Sequence, residues 1–176
     1  MGDFQALSDI FTRTKDHVVQ FMDMLHPVID QAEDEHERLY FHHILEEEEH
    51  RFDRLNELLP KLRDYVNGHH EPRDYVRLLQ DINLEKFGLH NFLEHLDLAL
   101  FHFTDESRQQ FLKKLRDITH DDYQFVKAVL DHLSDDIPFT TQSAEEKIHE
   151  KEERLAPATE QTGYRKGLTI GSLIGK

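Results

Sequence analysis

The stretch FQALSDIFTRTKDHVVQFMDML, residues 4–25, decides the fold. Its apolar side chains Phe4, Leu7, Phe11, Val18, Phe21 and Leu25 recur at intervals of three and four, which gathers them on one side of an α-helix. This predicts a first helix from about Asp3 to His26. The rhythm continues outward from there. Pro27 fits the first turn of a second helix, where a missing N–H has no intrahelical partner to lose. That helix would carry Ile29, Ala32, Leu39, Tyr40, Ile44, Leu55, Leu58 and Leu62 along one broad side, reaching about Val66 before Asn67-Gly68 stops it. Glu71-Pro72 opens a third, striped with Leu79, Ile82, Leu89, Leu93, Leu96 and Leu100. Thr104, with Ser107 as a rival cap, starts a fourth bearing Leu112, Leu115, Ile118, Val126, Val129 and Leu133. Short connections between long amphipathic helices predict an all-α fold: an antiparallel four-helix bundle over residues 1–134.

Composition narrows the partners. The 176 residues are enough for one domain with a core. Asp and Glu number 36 against 21 Lys and Arg, a formal net charge of −15. Such a surface repels nucleic-acid phosphate and anionic membrane, and it concentrates cations. Without cysteine there is no disulfide framework and no thiolate metal site. No basic-then-apolar leader opens the chain, and no stretch nears the roughly 18–20 apolar residues of a membrane span. A cytoplasmic protein that binds neither nucleic acid nor membrane is expected. The fourteen histidines are the one extreme of composition, and they are dispersed rather than run together.

Beyond Ser134 the character changes. Ser143 to Leu155 is rich in Glu and Lys without a continuous apolar stripe, and reads as a short solvated helix or plain linker. Ala156 to Gly167 is small, polar and Pro/Gly-containing. As a flexible coil, residues 135–167 would span about 30 Å. The last nine residues, 168–176, are apolar again: LTIGSLIGK. They read either as a segment folding back on the bundle or as a docking peptide. In the second reading Leu168, Ile170, Leu173 and Ile174 enter pockets, and Gly171 lets the backbone approach closely.

LTIGSLIGK resembles the C-terminal cargo-loading peptide of encapsulin systems, whose core pattern is approximately Leu-Thr-(Val/Ile)-Gly-Ser-Leu. A helical, acidic, His- and Glu-rich domain carrying that tail resembles the iron-mineralizing encapsulin-associated cargo proteins of Firmicutes. The resemblance implies a ferritin-like homodimer held inside an encapsulin nanocompartment through its C-terminal peptide. It also implies a ferroxidase that oxidises Fe²⁺ to Fe³⁺ with dioxygen, for mineralisation and iron storage in the shell.

Such chemistry needs iron ions held close together by carboxylates and imidazoles, with positions left open. Helical bundles supply the ligands as Glu-x-x-His, because residues three apart share a helix face. Glu47-x-x-His50 in the second helix is the foremost candidate, with His43 and Tyr40 on the same seam. Glu48 falls between Leu45 and Phe52 and is a candidate for burial, whereas Glu46 and Glu49 read as solvated. On the third helix His90 and Glu94, with Asp97 beyond, share a strip with Phe87 and Phe101. They read as ligands, as interface hydrogen-bonding groups, or as plain surface. Asp117-x-x-His120 on the fourth helix shares its face with Lys113, Arg116 and Lys127, and so points to water. Asp122 points inward, as a ligand or as the partner of an Arg or Tyr. His17 reads as a satisfied core histidine or a ligand, and Glu33-x-x-His36 lacks a complement.

One chain thus supplies too few ligands for a self-contained di-iron site. Completion across a two-fold axis, with each ligand used twice, is the expectation. A hemerythrin-like oxygen binder and a non-catalytic metal-binding adaptor are the alternatives. Glu and His ligands also accept manganese or zinc.

Overall fold

The computed structural model describes residues 2–69 and 71–135. The expected linker beyond Asp135 and the terminal peptide with Leu168, Ile170, Gly171, Leu173 and Ile174 lie outside the described residues. Four helices follow one another: α1 (Gly2–Gln31), α2 (Glu35–Val66), α3 (Pro72–His102) and α4 (Glu106–Asp135). They have 30, 32, 31 and 30 residues, about 45 Å each at 1.5 Å per residue. Contacts between α2 and α3 run Glu37 to His102, Glu48 to His95, Arg54 to Glu85 and Lys61 to Asp81. One number rises as the other falls, so these two helices are antiparallel. The result is a four-helix bundle.

The boundaries follow from caps. Asp34 stands in extended conformation before α2, and its side chain accepts from the His36 N–H, which satisfies an otherwise unpartnered donor of the first turn. Asn67 ends α2, and Gly68 at φ 79° takes the left-handed turn that a side chain disfavours. Glu71 and Asp74 form a reciprocal capping box at the start of α3.

Two expected boundaries move. Pro27 does not open α2; it lies inside α1, which continues to Gln31. The proline is solvent-exposed near the helix end, so the Asp23 carbonyl that loses its donor can turn to water. Burial of Ile29 one half-turn on, worth about 2 kcal/mol, favours keeping the last turn wound. At the start of α4 neither Thr104 nor Ser107 caps. Asp105 does, accepting from the Arg108 N–H at 3.1 Å, since a carboxylate suits the positive end of a helix better than a hydroxyl.

The core comes in two parts. One apolar cluster joins Phe4, Leu7 and Phe11 of α1 to Leu55–Leu62, Leu78–Leu89 and Val126–Leu133. The other joins Val18–Ile29 to Phe41–Leu45, Phe92–Phe103 and Leu112–Leu115. Between them the inward stripe turns polar on every helix: Thr14, Glu48 and Arg51, Glu85 and His95, Thr119 and Asp122 are all buried. This polar waist is where the candidate chemistry lies. Leu39 and Tyr40, expected on the core side of α2, are exposed at 57% and 45%. Phe41 and Ile44 take the core positions instead, because the 3–4 rhythm runs Phe41, Ile44, Glu48, Arg51, Leu55.

Candidate metal centre

On α2 the run Leu45-Glu-Glu-Glu-Glu-His50 turns its carboxylates in different directions, because successive residues lie about 100° apart around a helix. Glu46 and Glu49 are exposed. Glu48 is wholly buried, and Glu47 stands between, its side chain 37% exposed. Each of the two inner carboxylates meets His95 of α3. Glu48 Oε1 lies 2.5 Å from His95 Nδ1, and Glu47 Oε2 lies 3.0 Å from His95 Nε2. The other oxygen of Glu47 lies 3.2 Å from Nε2 of His43, one turn earlier on α2. Glu47 is therefore held between two imidazoles at the edge of the bundle, on the face that α2 shares with α3.

Beneath it, Arg51 compensates the buried charge. Its Nη1 donates to both oxygens of Glu48, at 3.1 and 2.9 Å, and the guanidinium lies over the Phe92 ring, 5.4 Å from its centroid. Burial pulls the Arg51 pKa down, opposed first by Glu48 and then by Glu85. Glu85 accepts from Arg54 Nε at 2.8 Å. Its own pKa is pushed up by burial, against the pull of Arg54. Gly88 lies against this group: a Cβ there would stand 3.0 Å from Glu85 Oε2 and 3.4 Å from Arg51 Nε. Arg51 Nε has no hydrogen-bond partner among the described residues.

The remaining candidates fall elsewhere. His50 is exposed one turn beyond Glu47. His90 and Glu94 pair at 3.6 Å on the surface of α3, with His90 leaning toward Tyr123 of α4. Asp97 is taken by Arg116. Asp117 and His120 face water, as their basic neighbours imply. Asp122 is buried and its carboxylate accepts two hydrogen bonds from Arg13, which meets the expectation of an arginine partner. His17 is half-buried and its Nδ1 has no partner among the described residues. Burial lowers its pKa. Glu33 and His36 are exposed at the α1–α2 turn.

Among the described residues no three His, Asp or Glu side chains already converge as a cation-binding group; the donors around Glu47 contact one another directly. Sequence reasoning passed over His95, Arg51 and Glu85. Each occupies a position in its helix's buried stripe, and a titratable residue at such a position needs a partner. That was the available signal.

The outward surface of α3 is partly apolar. Leu84, Phe87, Leu98 and Phe101 of α3 are exposed at 52%, 59%, 42% and 91%. With Asn91 and Glu94 they form a continuous outward seam at spacings of three and four, the pattern of a helix that packs against another. No helix of the described residues is long and apolar enough to cross a membrane.

Comparison with known proteins agrees with this architecture. The family described as IMEF cargo Flp protein matches residues 7–137. A "Ferritin-like protein" of Bacillus thermotolerans is 44% identical over 193 residues, covering 98% of each chain. A solved structure described as the crystal structure of an iron binding protein is 51% identical. It superposes with a TM-score of 0.71, covering 75% of this chain and 98% of that one.

Proposed function

The chain belongs to the IMEF cargo Flp protein family, ferritin-like cargo of encapsulin shells, and on that premise we propose that it is a ferroxidase. Ferrous ions are its substrate. A pair of them gives two electrons to dioxygen, which with two protons becomes hydrogen peroxide, and the ferric product passes to the mineral inside the shell. The observation that carries this reading is Glu47 held between His43 and His95. Metal–ligand bonds of about 2.0–2.2 Å put neighbouring donor atoms about 3 Å apart. The 3.0 and 3.2 Å separations around Glu47 match that edge. Carboxylate and imidazole together suit an ion that changes between the ferrous and ferric states. The net charge of −15 draws cations to the face.

One copy offers too few donors. The apolar seam of α3 beside them fits a second copy, packed about a two-fold axis on the α2/α3 face. The homodimer would then supply each donor twice, with His50 of α2 and the exposed His90 and Glu94 of α3 as further candidates. The solved relative described as an iron binding protein supports iron as the metal. Attachment to the shell is assigned to the C-terminal peptide, through Leu168, Ile170, Gly171, Leu173 and Ile174.

The test is anaerobic loading of the full chain with Fe²⁺, then mixing with aerated buffer in a stopped-flow absorbance experiment. Saturable oxidation of more than a few irons per chain is expected, with loss of at least about tenfold in rate for Glu47→Ala. Oxidation no faster than in buffer overturns the proposal. In that event reversible oxygen binding identifies a hemerythrin-like protein, and inert iron an adaptor.

A further inference from the structure

Glu48 is the most buried carboxylate of the bundle's waist, and both its oxygens are engaged. Its side chain is 0% exposed, and that of Arg51 is 2% exposed. A carboxylate that accepts from a guanidinium on both oxygens has no proton to give. The hydrogen in its 2.5 Å contact with His95 therefore belongs to His95 Nδ1. The ring is thereby turned so that Nε2, and not Nδ1, looks outward toward Glu47 Oε2 at 3.0 Å. Arg51 is itself confined: it lies over the Phe92 ring, and its Nε stands 3.4 Å from where a Cβ at Gly88 would be.

We propose that Arg51 and Glu48 are a positioning relay for His95: they fix which ring nitrogen faces the Glu47 cation site, and Glu48 does not itself bind the ion. The proposal rests on reading Glu47 and His95 as the iron-handling pair. Three links make it up. Phe92 and Gly88 set the guanidinium, the guanidinium sets the Glu48 carboxylate, and the carboxylate sets the rotation of the imidazole. Orienting partners of this kind typically change metal affinity by about 10- to 100-fold when removed. Glu48 has no solvent-facing lone pair left to offer, so the adjacent acidic residues Glu47 and Glu48 divide into one ion-facing and one histidine-facing carboxylate.

The experiment uses the full chain and Zn²⁺, a diamagnetic ion that accepts the same oxygen and nitrogen donors. In ¹⁵N-histidine NMR of the Zn²⁺-loaded protein, His95 should keep its Nδ1–H and bind the ion through Nε2. Coordination through Nδ1 overturns the relay while leaving the metal site intact. A His95 ring that Zn²⁺ leaves unmoved, together with undiminished binding by His95→Ala, removes the site reading and the relay with it. Because Glu48→Ala would strand Arg51 and could fail to fold, the second arm is the paired variant Glu48→Leu/Arg51→Met, which removes both charges together. It should fold and bind Zn²⁺ about 10- to 100-fold more weakly by calorimetry. Unchanged affinity in a folded double variant means the pair is structural only, and overturns the proposal.

Discussion

Arg51→Met tests the energetics of the polar waist directly. Methionine fills most of the arginine's volume and keeps helix propensity, so the loss is the guanidinium alone. What remains is Glu48, wholly buried, with one His95 contact in place of three polar contacts. Removing one member of a buried ion pair costs about 3–5 kcal/mol, because the survivor is an uncompensated charge in a low dielectric. That is a large share of the roughly 5–15 kcal/mol that a domain has in total. With a urea slope of about 2 kcal/mol per molar, the unfolding midpoint, followed by circular dichroism at the helical minimum, should fall by about 1.5–2.5 M at constant slope. Glu48→Leu/Arg51→Met should recover most of the loss, ending within about 1 kcal/mol of the native chain. A single variant costing under about 1 kcal/mol, or a double variant no better than the single, would refute the account of a mutually compensated buried pair.

Other perturbations read other parts of the molecule. Leu98→Glu places a charge in the exposed seam of α3 and should weaken self-association by about 30-fold, corresponding to a hot-spot loss of about 2 kcal/mol; an unchanged sedimentation profile across concentration would count against the α2/α3 face as the dimer contact. His17 is held below its ordinary value, near 6.5, chiefly by burial. Its neutral form is favoured on folding, so its contribution is complete above that value and is lost as pH falls toward the folded pKa. Acidification from pH 7.5 to 5 should therefore lower the denaturation midpoint of the native chain more than that of His17→Gln, and parallel pH profiles would contradict this. Leu173→Ala should abolish co-purification with the encapsulin shell and leave the bundle's melting temperature within about 2 °C, a change of no more than about 0.5 kcal/mol. Retained loading would remove the docking role from the terminal peptide.

Most of the bundle is legible in the apolar rhythm. Phe4, Leu7, Phe11, Val18, Phe21 and Leu25 all bury, because a 3–4 interval on a helix has one geometric outcome. Pro27 was less legible. Its start-of-helix preference is a local tendency of the residue, and the packing of Ile29 outweighs it. The site was half legible. Glu47 stands out through the acidic run and the Glu-x-x-His spacing, and His43 on the same seam does meet it, yet the second histidine against it is His95 on another helix, and not His50. Spacing along one helix reports which residues share a face. It does not report which residue of a neighbouring helix arrives opposite. Arg51 and Glu85 were hidden by a different cause. Charged residues are ordinarily solvated, and only their place within the stripe marks them as buried.

The division of the core into two apolar halves also sets the alignment of the helices along their axes. An all-leucine bundle tolerates a helix sliding by one turn, about 5.4 Å, since one leucine layer replaces another. Here such a slide on α2 would drive Glu48 and Arg51 into the level of Leu55 and Phe11, away from His95. It would strand ions among hydrocarbon, at several kcal/mol each. The waist thus acts as a notch: it permits one vertical setting of α2 against α3. The same setting keeps His95 of α3 level with Glu47 of α2, so the fidelity of assembly and the geometry of the candidate metal centre rest on the same few polar side chains.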